Sequence, residues 1–310
     1  MKSFNTRLTK LLNIEFPLIV APMYMVSNKA MVIEAMKQGC IGTLASLNYK
    51  NTTDLENEIK DLNKVINNYN GTYGVNLLIV GNDNYKEHLE IVVRNKVPLV
   101  ITSLGSPKEI VKRVHEYGGI VLSDIVNQRF AHKAFKVDAD GIIAVGHGAG
   151  GHAGNNNLFT LIPILRKLYP DKIILSAGGI ATGQAIAAAI TLGSDGVSVG
   201  TTFITCKESA VSTDYKQAVI NANIDDIVMS KALTGTPATI ISCKQLTNLE
   251  EKLYNKNVSM QDGMKTLTSE DYNNIFMAGQ SVGSIYKEEN IKDIITRFKK
   301  QCYNTLTNYR

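Results

Sequence analysis

The 310-residue chain has no CxxC pair and no Cys/His cluster; Cys40, Cys206, Cys243 and Cys302 stand far apart. That excludes a disulfide scaffold and a cysteine-built metal centre, and it leads to the expectation of buried free thiols in a cytoplasmic protein. The chain also lacks the roughly 18 consecutive apolar residues of a membrane span. Its basic start is interrupted by Asn13, Glu15 and Pro17, which breaks the apolar stretch a signal peptide requires. Charge of one sign is likewise missing: Lys+Arg 33 against Asp+Glu 28 gives a net charge of +5, spread along the chain. The one dense stretch, Arg297, Lys299, Lys300 and Arg310, reads as a solvated helix face rather than a nucleic-acid site. A small anionic ligand remains compatible with the sign. There is no low-complexity tract, and nothing in the sequence encodes an oligomeric state.

What is present is a globular composition, 44% hydrophobic and 20% charged, enough for two ordinary domains or one large barrel. Period decides between them. Short β-branched runs alternate with longer amphipathic stretches to about residue 220, the pattern of parallel strands joined by crossover helices. Strands are expected at 17–22, 40–45, 72–78, 98–103, 120–125, 141–145, 172–177 and 196–201. Eight such units predict an α/β fold, a (β/α)8 TIM barrel over residues 1–221. Asn28 and Thr182 cap helices that stop at Gly39 and Gly193; Pro107 opens one that stops at Gly118. The rhythm breaks after Cys206. Residues 222–270 read as an insertion or lid, and 271–310, beginning with DYNNIFMAGQSVGSIY, as a helical segment returning to the barrel.

In a parallel barrel the chemistry sits just beyond the strand ends. Here those ends carry glycine, small polar and amide residues, among them Ala21-Pro22-Met23, Asn76, Ser103, Ser123-Asp124 and the run GHGAGGHAG at 146–154. Gly178 and Gly179 precede the helix that Thr182 opens, and Gly200 and Thr201 end the neighbouring strand. Each glycine pair alone could be only a tight turn, but two adjacent loops after the seventh and eighth strands match a barrel phosphate site. Gly146, Gly148 and Gly151 satisfy GxGxxG, yet the next helix begins only near Asn157 and the following strand ends without an acid, against a dinucleotide fold. The loop reads better as one that passes close to a ring system and aims His152 at it. A neutral imidazole there is a candidate general base; the alternative is a histidine that only hydrogen-bonds its loop. His147 reads as a spacer, and His88, His115 and His132 are expected on exposed helix faces. No carboxylate or thiol shares the loop at ligand spacing, so no metal is expected.

Together these segments resemble the nitronate monooxygenases, formerly 2-nitropropane dioxygenases, and the related flavin-containing enoyl-acyl-carrier-protein reductases. The likeness runs through APM at 21–23, GVNL at 74–77, AGGHAG at 149–154, AGGIATG at 177–183, CKES at 206–209 and MAGQSVG at 277–283. It implies an FMN-binding barrel, with Met23, Asn76, Ser103, Gly150 and Gly151 around the flavin ring. It puts Gly178, Gly179, Gly200 and Thr201 on the phosphate, His152 at the substrate, and Met277, Gly279 and Gln280 closing the site. Two departures stand out. The family loop usually reads Gln-Gly-x-Glu-Ala-Gly-Gly-His, whereas this chain has Val145 and Gly148 at the glutamine and glutamate positions; and Thr239 follows Ala238 where arginine is common.

The resemblance implies an oxidoreductase that uses FMN and O2 on a small anionic nitronate or nitroalkane, without a nucleic-acid or membrane partner. An NAD(P)H-dependent enoyl-thioester reductase on the same flavin site is the second reading, and a low-turnover flavin-binding protein the third.

Overall fold

The computed structural model describes residues 4–233, 235–255 and 274–308. Eight parallel strands close into a barrel in the order β1 (Leu18–Val20), β2 (Ile41–Ala45), β3 (Thr72–Leu78), β4 (Leu99–Ser103), β5 (Ile120–Ile125), β6 (Gly141–Val145), β8 (Ile173–Ala177) and β9 (Gly196–Val199). The ring closes where Leu18 pairs with Val197 and Val20 with Val199. The expected (β/α)8 barrel is therefore present, and the strands at 72–78, 120–125 and 141–145 have the limits that the sequence predicts.

Alternation along each strand divides the core. Outward-facing Tyr73, Val75, Val100, Val121 and Ile142 pack under the helix layer, while inward-facing Ile19, Ile41, Leu99, Ile101, Leu122, Ile143 and Leu175 fill the barrel. Leu8, from helix α1 (Arg7–Leu12), joins that inner cluster and is wholly buried. At the same N-terminal end Asp195, almost buried, takes Arg166 at 2.6 Å, Arg7 at 3.2 Å and the amide of Ile174 at 3.0 Å. The N-terminal end of the barrel interior is thus filled by apolar packing, with a multiply bonded carboxylate beside it.

The helices begin where local chemistry places them. Asn28 caps α2 (Lys29–Lys37) through the amide of Met31, and Gly39 follows in the left-handed region at φ 68°. Helices α3 (Thr52–Val65), α4 (Tyr85–Arg94), α5 (Lys108–His115), α6 (Gln128–Phe135) and α7 (Leu158–Leu168) alternate with the strands. Thr182 caps α8 (Gly183–Thr191). Beyond β9 come α9 (Thr201–Ile204) and α10 (Thr213–Asn221), the antiparallel strands β10 (Ile227–Ser230) and β11 (Ala238–Ile241), and α11 (Lys244–Asn255). The last helix, α12 (Ile291–Asn308), returns to α8: Gly183 lacks the side chain that would collide with the carbonyl of Phe298, and its amide donates to Gln301 Oε1 at 2.9 Å.

Two expectations are corrected. Between 274 and 290 the chain forms no α-helix; 274–279 is irregular and only a short 3-10 turn, Gln280–Ser284, follows, because Gly279 and Gly283 interrupt the helical pattern and backbone contacts with the barrel take its place. Residues 256–273, which span the rest of the expected lid and the start of that segment, lie outside the described residues, as does Thr234. His88 is not exposed but buried at 1% on α4, where its Nδ1 lies 3.3 Å from Asn82 Nδ2; the apolar face of α4 carries it inward with Leu89 and Val92. Among the described residues no helix is long and apolar enough to cross a membrane, and no group of side chains could hold a metal ion.

Candidate active site

Toward the C-terminal mouth the inward faces of β3 to β6 carry Asn76, Ser103, Asp124 and Val145. The first three form a chain. Asn76 Nδ2 donates to Ser103 Oγ at 2.7 Å, and the Ser103 hydroxyl donates to Asp124 Oδ2 at 2.6 Å. Sequence reading picked out Asn76 and Ser103. It noted Asp124 only as a strand-end residue, and the parity of inward positions on three successive strands was the signal that could have joined it to them. Burial in this apolar layer pushes the Asp124 carboxyl up to about 6, while the Ser103 hydrogen bond acts downward.

After β6 the chain leaves the barrel in a glycine loop and enters a two-residue strand, β7 (Gly151–His152). β7 pairs antiparallel with β11, Ala238 opposite His152 and Thr239 opposite Gly151. Thr239 Oγ1 donates to the carbonyls of Ala149 and Gly151. β11 thus supplies the ladder that holds the histidine, and the Thr239 hydroxyl grips the loop. His152 is half-buried, and burial lowers its pKa, favouring neutral imidazole.

The segment 276–280 holds the loop from the other side. Gly279 donates its amide to Thr201 Oγ1 at 3.0 Å, and Gln280 donates its amide to the carbonyl of Gly148 at 3.0 Å. A Cβ on Gly150 would stand 2.9 Å from the Gly279 nitrogen, so these two glycines let two backbones touch. Met277 lies at Gly151, 3.8 Å from where a Cβ would be, and its carbonyl accepts from Tyr215 Oη at 2.6 Å. Tyr215 also stacks on Phe276 with centroids 4.5 Å apart. No sequence motif pointed to Tyr215. Met23, Gly200 and Thr201 meet at the β1 and β9 ends: a Cβ on Gly200 would lie 3.3 Å from Met23 Sδ.

The donor set beside β8 and β9 fits a phosphate. Gly179 sits at φ 68° with nothing within 4 Å of a Cβ, an opening that a side chain would fill. Its own amide is given to Gly148 O, so it shapes the opening. The amides of Thr201 and Thr202 stand in the first turn of α9, ahead of any intrahelical acceptor, and Thr202 Oγ1 is buried without a partner. Around the mouth Tyr24, Met25, Val80 and Leu104, after β1, β3 and β4, expose apolar side chains.

Comparison with known proteins agrees with this fold. The family model for nitronate monooxygenase matches residues 47–300. A probable nitronate monooxygenase of Staphylococcus aureus (strain MSSA476) is 28% identical over 290 residues, covering 79% of this chain and 80% of that one. FabK from Thermotoga maritima superposes with a TM-score of 0.84 at 27% identity, covering 99% of each chain. A nitroalkane oxidase from Streptomyces ansochromogenes shares the fold, with a TM-score of 0.84 at 22% identity over 98% of this chain and 99% of that one. The chain belongs to the nitronate monooxygenase family of flavin oxidoreductases.

Proposed function

We propose that the protein is an FMN-dependent nitronate monooxygenase, oxidising a small anionic nitronate or nitroalkane with O2. The observation that carries this reading is the placement of His152 by β11 at the same mouth as the Gly179 opening and the Asn76–Ser103–Asp124 chain. Gly178, Gly179, Gly200, Thr201 and Thr202 would hold the phosphate of FMN, and Met23, Asn76, Ser103 and the 150–151 loop would border its ring. The bound flavin supplies the electron acceptor, with O2 as the terminal oxidant. The chain supplies the rest. The amides of Thr201 and Thr202 would meet the cofactor's negative charge, the loop and the 277–280 segment would restrict water, and a ring nitrogen of His152 would take the α-proton of a neutral nitroalkane. A nitronate, already ionised, needs no such step.

The test is the visible spectrum of the purified protein, first in air and then with propionate 3-nitronate added anaerobically. Flavin absorbance that bleaches with nitronate and returns with air is expected; a protein that stays colourless after reconstitution with FMN removes the reading.

A second reading, an NAD(P)H-dependent enoyl-thioester reductase, is favoured by the exposed apolar rim of Tyr24, Met25, Val80 and Leu104, which suits an acyl chain. The enoyl reductase domain of MlnA from Bacillus amyloliquefaciens has the same fold, with a TM-score of 0.77 at 14% identity over 99% of this chain and 98% of that one. Rapid anaerobic bleaching by NADH or NADPH, with none by nitronate, would reverse the order.

A further inference from the structure

Asp124 is the only carboxyl on the inward faces of β3 to β6, and its two oxygens have different surroundings. Asn76 Nδ2 also lies 3.3 Å from the carbonyl of Ile101, which can only accept, so the amide orientation is fixed and Nδ2 is the donor to Ser103 Oγ. The Ser103 hydroxyl donates to Asp124 Oδ2 at 2.6 Å, which leaves Oδ1 as the oxygen that can carry the proton of a neutral acid. Oδ1 takes no hydrogen bond from the described residues, and it is not among the buried atoms that lack partners, so it opens onto the mouth. Its neighbours on the inner wall are apolar: Ile101 on β4, Leu122 below it on β5, and Ile143 and Val145 on β6. No charged side chain acts on the carboxyl from β3, β4 or β6.

We propose that Asp124 serves the flavin site as a neutral carboxylic acid, with Oδ2 taken up by Ser103 and the proton carried on Oδ1 and donated into the mouth to the acceptor edge of a bound flavin. This rests on the flavin reading and adds a residue to it. An ionised Asp124 would set a second negative charge near an anionic cofactor and turn an acceptor toward acceptors. The neutral acid removes both penalties and contributes a donor. Loading the site strips more water from the carboxyl, which favours the neutral form further. Flavin binding and protonation of Asp124 are therefore linked: binding weakens as pH rises through the titration of Asp124.

The experiment is fluorescence titration of FMN into flavin-stripped full-length protein from pH 5 to pH 8.5, for the wild type and for Asp124→Asn, which keeps a donor without a titrating proton. The FMN phosphate ionises in the same range, but it affects both proteins alike and cancels in the ratio of their Kd values. The ratio of wild-type Kd to variant Kd is expected to rise about tenfold from the acid to the alkaline end, the equivalent of about one pKa unit. Ser103→Ala removes the hydrogen bond that favours the carboxylate, so its loss of affinity should begin at higher pH than the wild type's. That arm stands even if Asp124→Asn fails to fold. His147 and His152 are the other titrating groups on the neighbouring loop, and His152→Gln is expected to keep the wild-type dependence. Tight binding with a flat ratio, or a pH step lost in His152→Gln and kept in Asp124→Asn, overturns the proposal alone. Absence of FMN binding at every pH overturns the flavin reading and this proposal with it.

Discussion

Thr239 on β11 donates one hydroxyl to two carbonyls, those of Ala149 and Gly151, on the loop that carries His152. The two strands share a short ladder, and the hydroxyl ties the loop just beyond Val145 and Gly148. A side chain some ninety positions away in sequence thus fixes the position of the histidine.

Thr239→Val keeps the shape and removes the donor. The buried carbonyl of Ala149 and the half-buried carbonyl of Gly151 lose a partner, which costs about 1–3 kcal/mol. A lower Tm and a drop of about tenfold in kcat/KM are expected, with Thr239→Ser recovering much of both. Unchanged kinetics in the valine variant would show that the ladder alone positions His152.

His152 is a base only while neutral. Burial disfavours its imidazolium form, so its pKa falls below the ordinary value near 6.5 and the neutral form persists to lower pH. The acid limb of kcat/KM for a nitroalkane should therefore fall below that value, and His152→Asn should damage nitroalkane turnover about 10²–10⁴-fold and nitronate turnover much less. Equal losses on both substrates would remove the assignment.

Two glycines separate binding from folding. Gly179→Ala meets open space, so it should cost only the roughly 1–2 kcal/mol of a left-handed alanine while weakening FMN binding by narrowing the opening. Gly279→Ala drives a Cβ into the Gly148 carbonyl and the Gly150 amide and should cost several kcal/mol unless the loop moves. Thermal melts with and without FMN distinguish the two; equal Tm losses in the apo forms would contradict the geometry.

At the opposite end of the barrel, Asp195→Ala strips partners from Arg166, Arg7 and the amide of Ile174. A loss of about 1–3 kcal/mol is expected, because the amide of Ile174 loses its buried acceptor while Arg7 is half exposed and Arg166 keeps the carbonyls of Gly193 and Lys172. FMN affinity, measured below the melting transition, should be unchanged.

The parts legible in the sequence are those set by neighbours along the chain. Residues 72–78 and 141–145 announce themselves as strands by period, Asn28 and Thr182 as caps by their side chains, and Gly39 and Gly193 as stops. His152 and the glycines beside it are legible as residues that follow a strand. What stayed hidden depends on distant partners. The pairing of Gly151 with Thr239, the contact of Gly150 with Gly279 and the grip of Tyr215 on Met277 join segments that no local period connects. Asp124 was visible as a letter, but its hydrogen bond to Ser103 required knowing that two strands put them on one inner wall. The burial of His88 is hidden in the sequence because its polar ring shares the inward face of α4 with Leu89 and Val92.

The β7–β11 ladder also sets an order in time. A ribosome has made all eight barrel strands by Val199, yet His152 has no β-partner until Ala238 and Thr239 emerge, and Gly150 meets no Gly279 until later still. The barrel can close before its histidine is in place. A nascent chain passes through an interval in which the barrel strands are complete and the β7–β11 ladder is not yet formed, so the loop that carries His152 is set last, with the final quarter of the polypeptide.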